Sequence, residues 1–251
     1  MPHRSDDDRS AAQRVFAVAD TFEHGDELTL SEVARRSDLP VSTAHRILAE
    51  WTAWGGLVRR EDGRYRVGLK LWRLGIRQPT ARRLREVARP FLDDLLESTG
   101  EHVHLAVRDG LGVIYLERFS GPGAVRVISE VGSRLPLHAT GVGLVLLAYA
   151  PPGTLEEVLA GRPRKFTPYT LTEERELRAR LATIRASEIA RTVEEMTRGA
   201  FSVAAPIRDV GGDVVAAVSI IARSRRVGEP QFPLGVRMAA RGISAALGAA
   251  T

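Results

Sequence analysis

The sequence predicts an α+β protein in two parts: a winged helix–turn–helix, then an antiparallel sheet covered by helices. Three observations predict it. Leu28 to Val67 reads as two short helices, a tight turn and an arginine-rich hairpin. Two apolar hairpins, His102–Leu116 and Phe201–Ile221, share one plan: strand, Arg-Asp step, glycine-bearing turn, strand. Helical stretches are mixed with these strand runs, which suits an antiparallel α+β sheet better than a parallel one.

Composition narrows the function classes. The 251 residues hold one large or two modest domains, and 44% hydrophobic content is ample for packed cores. No apolar run of about 18 residues predicts a membrane span. Residues 1–8 are polar and acidic, and are expected to be a disordered tail rather than a signal peptide. With no cysteine, disulfides, thiolate catalysis and cysteine-bound zinc are excluded. The net charge of +5 favours an anionic partner.

The first part, residues 9–68, is read as follows. Ala12, Val15, Phe16, Val18, Ala19 and Phe22 fall at helical spacing within Arg9–Phe22, a scaffold helix. Thr29-Leu30-Ser31-Glu32 is a capping box that opens a second helix with Leu30, Val33 and Ala34 inward. That helix should end near Ser37-Asp38-Leu39, because Pro40 disfavours helical geometry before it. Pro40 itself suits the first turn of a third helix, Val41–Trp54. There Ala44, Ile47, Leu48 and Trp51 form the buried stripe. Ser42, Arg46, Ala49 and Ala53 lie opposite, flanked by Thr43 and His45. Small hydroxyls and one arginine near a helix start suit a major groove: Arg46 to guanine, Ser42 or Thr43 to a phosphate or base edge. The hairpin Gly56–Val67 turns at Glu61-Asp62-Gly63 and carries Arg59, Arg60, Arg64 and Arg66 for phosphates. From Leu30 to Arg73 there are nine Lys/Arg against five Asp/Glu, so the basic patch is local. The predicted partner is double-stranded DNA. The plainer alternative is a small helical subdomain with a solvated basic face.

Leu69–Gly75, at the start of 69–82, is too apolar for a short helix in water, so it packs on its own winged domain or on a second copy, and the second is favoured because one reading module holds only one half-site. From 83 to 251 a second domain is expected. Arg82–Thr99 is an amphipathic helix with Leu84, Val87, Phe91 and Leu95 inward, which Pro90 should bend or restart. Further helices are expected from Thr140, Thr154 and Thr172, and over Pro233–Leu247. Gly132–Gly143 runs into an apolar helix, and its glycine-bearing start offers free N–H groups for an anion. An ordinary cap by Thr140 explains the same residues.

These motifs resemble those of the IclR-type transcriptional regulators. The likeness runs through LSEVARRSDLPVSTAHRILAEWTAWGGLVRREDGRYRVGLKLWRLG, REVARPFLDDLLESTGEHVHLAVRDGLGVIYLER, VGSRLPLHATGVG and GAFSVAAPIRDVGGDVVAAVSI, in that order, over residues 11–248. The resemblance implies a linker helix over 69–82, a GAF/profilin-like effector domain, and a homodimer or dimer of dimers that represses or activates nearby genes; a cytoplasmic repressor on a palindromic operator is expected here. It also implies an effector pocket at the helix start (Thr140, Gly141, Val142), with Ser202 and Ser219 on the strands. Here Ile221 stands where relatives often carry serine, Thr192 falls in the segment where they carry an acid, and Leu144 where they carry lysine. With fewer polar partners, the expected effector is one carboxylate on an aromatic or branched body, oriented by Ser202 and Ser219 and walled by Met196 and Phe201.

No cofactor is predicted, since Walker, dinucleotide, Gly-x-Ser-x-Gly and His-Glu-x-x-His motifs do not occur. His102, His104 and His138 lack a suitably spaced carboxylate for a metal, and Glu194-Glu195 is a poor acid–base pair. Two other readings stay open: an enzyme domain fused to a DNA-binding module, or a constitutive binder whose second domain only oligomerises.

Overall fold

The computed structural model describes residues 9–23, 25, 27–122 and 124–249. The acidic start at 1–8 lies outside them. The chain divides into two compact units, Met1–Arg82 and Arg83–Thr251.

In the first unit, α1 spans Ala11–Asp20, capped by Ser10 with Gln13 reaching back. Helix α2, Leu30–Ser37, has the Thr29–Glu32 capping box and stops where Asp38 turns left-handed at φ 54°. Helix α3 is Val41–Trp54, with Pro40 at its cap position rather than in its first turn. Strands β1 (Leu57–Arg59) and β2 (Tyr65–Val67) form the wing, closed by Gly63 at φ +82°. Leu28 pairs with Tyr65 and ties the wing to the segment before α2. Val18, Phe22, Leu28, Val33, Leu39, Ile47, Leu48, Leu57 and Tyr65 make one core. Phe16 departs from the expected stripe and is 62% exposed, since it lies about 200° round the helix from Val18. Ala12 is exposed with it. Helix α4, Leu69–Gly75, leaves Leu69, Trp72 and Leu74 exposed, so their own unit does not cover them.

The second sheet has six strands in the order β5-β4-β3-β8-β7-β6, every neighbouring pair antiparallel. These are β3 (His102–Asp109), β4 (Gly112–Phe119), β5 (Arg134–Pro136), β6 (Ala190–Val193), β7 (Ala200–Arg208) and β8 (Val214–Arg223). The two similar hairpins are thus β3–β4 and β7–β8, joined at the sheet's centre by β3 and β8.

Helices α5 (Pro79–Thr99) and α9 (Gln231–Ala249) cover one face. Leu84, Ala88, Leu92, Leu95, Phe232 and Val236 pack there on Val103, Leu105, Phe201, Val203, Val218 and Ile220. Pro90 neither breaks nor restarts α5. It is exposed, while Ala88 and Leu92 beside it are fully buried, so packing carries the helix through. On the other face lie α6 (Gly141–Ala148), α7 (Thr154–Ala160) and α8 (Glu174–Ser187). All eight residues of α6 are buried, which explains its unbroken apolar run. Small residues below it, Ala106, Ala204 and Ala217, let it sit close to the sheet.

Leu92→Ala should lower the unfolding free energy by about 2–5 kcal/mol in denaturant titration, because Leu92 is wholly buried. Leu234→Ala, on the exposed side of α9, should change it by less than about 0.5 kcal/mol.

Candidate ligand pocket and nucleic-acid interface

Strand alternation sorts the second sheet's side chains by face. Thr192, Ser202 and Ile221 stand in register on β6, β7 and β8, and Ser219 pairs with His104 across β8 and β3. The start of α6 lies over this floor. A side chain at Gly141 would come within 2.6 Å of the Ser202 hydroxyl, so glycine is what lets helix and strand meet. Thr140 caps α6 by accepting from the Gly143 N–H at 3.1 Å. The Gly141 and Val142 N–H groups, first in the helix, have no carbonyl within it to bind.

Between floor and helix start is a narrow pocket that opens to solvent. Of the expected residues, Thr140, Gly141, Val142, Thr192, Met196, Ser202, Ser219 and Ile221 line it, and Phe201 borders it. Thr192, Ser202 and Ser219 are each less than a tenth exposed and line the pocket, and none of their hydroxyls has a hydrogen-bond partner among the described residues. Buried polar groups normally have partners, and three together mark a place for a polar ligand or water. Phe201 needs correcting: its ring lies on the sheet's other face, 6.4 Å from Phe232. Alternation hands that position of the pocket to Ser202.

Sequence reasoning missed Tyr115, Leu135, Glu195, Thr197 and the segment Val127-Ile128-Ser129. Glu195 is buried and paired with Arg180 at 2.9 Å, and its carbonyl accepts from Thr170 at 2.6 Å. Burial raises its carboxyl above the usual range against the pull of Arg180. It pins the turn after β6 rather than forming an acid–base pair with Glu194, whose backbone is left-handed at φ 58°.

One Ser–His contact invites a catalytic reading. Ser129 Oγ lies 3.4 Å from His104 Nε2 at the pocket's edge. However, His104 Nδ1 has no partner to orient the ring. Burial, with His102 and Arg118 nearby, drives its pKa down to about 3. Such an imidazole is a poor general base near neutrality. His102 is held by Val125 and Ser120, and His138 by the Arg164 carbonyl, so the three histidines do not converge. Among the described residues no group of three metal-ligating side chains gathers.

On the first unit, Pro40, Ser42, His45 and Arg46 are exposed along the start of α3 and Thr43 is half-buried. Among the described residues Arg46 is paired only to Glu50, at 2.9 Å with both side chains well exposed, a weak tie. The wing arginines differ from one another. Arg59 lies over the Tyr65 ring at 5.7 Å. Arg60 and Arg66 share Glu27 at 2.8 and 3.8 Å. Arg64 donates to the Glu27 carbonyl at 3.0 Å and meets Glu32 at 3.4 Å, bracing the wing against the α2 cap.

A helix–turn–helix with a basic wing, joined to a pocket-bearing sheet unit, defines the class of two-domain DNA-binding transcriptional regulators. The chain belongs to the IclR family. The IclR helix-turn-helix domain matches residues 11–61, and the bacterial transcriptional regulator IclR C-terminal domain matches residues 79–245. HTH-type transcriptional regulator XynR of Escherichia coli K12 is 32% identical over 95% of this chain and 97% of its own length. The glycerol operon regulatory protein of Streptomyces coelicolor is 38% identical over 88% of this chain and 89% of its own. An IclR homolog from Microbacterium hydrocarbonoxydans, solved in complex with 4-hydroxybenzoate, is 37% identical with a TM-score of 0.88, over 96% of this chain and all of that one.

His104 gives a pH prediction. Its folded pKa of about 3 lies below the unfolded value near 6.5, so the unfolded state binds the proton first as pH falls. Its contribution is intact above pH 6.5 and is lost on acidification, by about 3 kcal/mol at pH 4. Chemical denaturation should show His104→Gln with a shallower acid slope than the parent. Equal slopes would mean His104 ionises freely in the folded state.

Proposed function

We propose that the chain represses transcription as a cytoplasmic homodimer, or dimer of dimers, on a palindromic operator. In this reading, a small carboxylic acid in the second unit controls its DNA affinity. The observation that carries the effector reading is the pocket: three partnerless hydroxyls and an open helix start in an otherwise largely apolar chamber. A carboxylate suits the helix start, where backbone donors and the helix dipole meet. Tyr115, Val127, Ile128, Leu135 and Ile221 suit an aromatic or branched body. The 4-hydroxybenzoate complex of the Microbacterium homolog supports this choice. Residues 9–68 would then bind DNA, 69–82 would link and dimerise, and 83–251 would hold the effector.

Dimerisation is supported by the uncovered Leu69, Trp72 and Leu74 of α4. A dimer also sets two recognition helices in successive major grooves. Repression is the simpler mode, since occupancy of the operator suffices. An acid that binds one dimer geometry better shifts the population toward it. Against an enzyme stands the unoriented, weakly basic His104 beside Ser129. Against a purely oligomerising second unit stand the three open hydroxyls.

The test is binding to the intergenic DNA upstream of the chain's own gene, at two salt concentrations, with and without a panel of carboxylic acids. A specific complex whose affinity changes with one acid is expected. A specific complex that no acid alters would contradict the effector reading, and no specific complex would contradict DNA control. Within that assay, Arg46→Ala should cost about 1–3 kcal/mol on the operator and relax sequence preference. Arg59→Ala should weaken all DNA alike and flatten the salt dependence. Arg64→Ala should instead lower the stability of the winged unit, because Arg64 braces it. If Arg46→Ala behaves like Arg59→Ala, Arg46 touches phosphate and not a base.

A further inference from the structure

The pocket floor is deep: Ser219 is 1% exposed and Ser202 7%, so the element that covers them governs how readily a ligand reaches them. The covering element is the strap 124–131 between β4 and β5. Val127, Ile128 and Ser129 from this strap line the pocket, while Ile128 and Val131 also face outward. Among the described residues no backbone–backbone hydrogen bond ties 124–131 to the sheet; those it makes are local, Ala124 to Gly121 and Ser133 to Glu130.

Side chains hold it down instead, a long contact of 3.4 Å from His104 Nε2 to Ser129 Oγ and two shorter ones to main-chain carbonyls. His102 Nε2 lies 2.5 Å from the Val125 carbonyl, with its Nδ1 3.0 Å from Ser120 Oγ. Arg118 Nη1 donates to the Ser129 carbonyl at 2.7 Å. The strap is flanked by Gly121, where a side chain would meet the Gly100 carbonyl at 1.8 Å, and by Gly132 at φ +83°. Seating is incomplete. Arg118 Nε and His104 Nδ1 lie buried beneath it without partners, and lifting the strap would return both to water.

We propose that residues 124–131 are a lid over the pocket, latched by His102 and Arg118, whose opening admits the ligand. This rests on the pocket being the effector site, and His102 and Arg118 act in it as positioning residues that touch the lid and not the ligand. The latch is a pair of side-chain contacts to main-chain carbonyls, so loosening either one should raise the open fraction without disturbing the sheet below.

The chain has no cysteine, so a single introduced thiol reports opening. Ser219→Cys places it on the floor. Val203→Cys, fully buried on the sheet's other face, supplies the control thiol. Iodoacetamide labelling is followed by mass spectrometry in each background. Adding His102→Ala or Arg118→Ala should speed labelling of the floor thiol at least 10-fold and change labelling of the control thiol less than 2-fold. Unchanged labelling of the floor thiol in both variants, or equal acceleration at the control thiol, would overturn the lid, the second result pointing to general loosening. Saturating 4-hydroxybenzoate should slow labelling of the floor thiol. Acceleration by the latch variants without protection by the acid would support the lid and count against the aromatic-acid reading alone, so the two fail separately.

Discussion

The second unit depends on one close approach: α6 begins directly on strand β7, with no room for a side chain between Gly141 and Ser202. Three consequences follow from that contact. The helix can bury all eight of its residues only because Ala106, Ala204 and Ala217 keep the sheet surface low beneath it. Its first N–H groups end up beside the polar stripe of the sheet rather than in water. The hydroxyls of Thr192, Ser202 and Ser219 face the pocket with no protein partner among the described residues. Packing and binding chemistry are therefore one feature: the helix that completes the core also builds the donor end of the pocket.

The first unit shows a comparable economy in its charges. Glu27 and Glu32 each hold wing arginines, so part of the basic surface is used to fix the wing on the α2 cap. Glu32 does both jobs, closing the capping box with Thr29 and meeting Arg64. The Thr29 hydrogen bonds, more than the arginines, hold its carboxyl below the usual range. Arg59, resting on Tyr65, has no ion-pair partner among the described residues. The patch is thus a braced hairpin whose arginines differ in how they are held, Arg59 being the one of the four without an ion pair among the described residues.

Much of this was legible because its signals are local. The Thr29–Glu32 box, the Asp62-Gly63 turn and the stripe of α3 are set by residues a few positions apart, and the structure has them as read. The two hairpins were legible from their shared pattern, and the pocket residues from the family likeness laid over them. What was hidden is non-local. Strands β5 and β6 are three and four residues long, too short for periodicity to show. The strap 124–131 carries no pattern of its own and gains its place from His102 and Arg118 on other segments. Glu195 could not be read without Arg180, fifteen positions earlier. Phe201 was a different failure, since period-two alternation beside Ser202 already assigns its ring to the opposite face.

We propose that the α6 start and the serine floor receive a carboxylate. Isothermal titration of the intact protein with 4-hydroxybenzoate and with 4-hydroxybenzamide, its neutral near-isostere, tests this most directly. The carboxylate should bind at least 10-fold more tightly, and its advantage should shrink in Ser202→Ala. Equal affinity for acid and amide, or tighter binding of the amide, would contradict it.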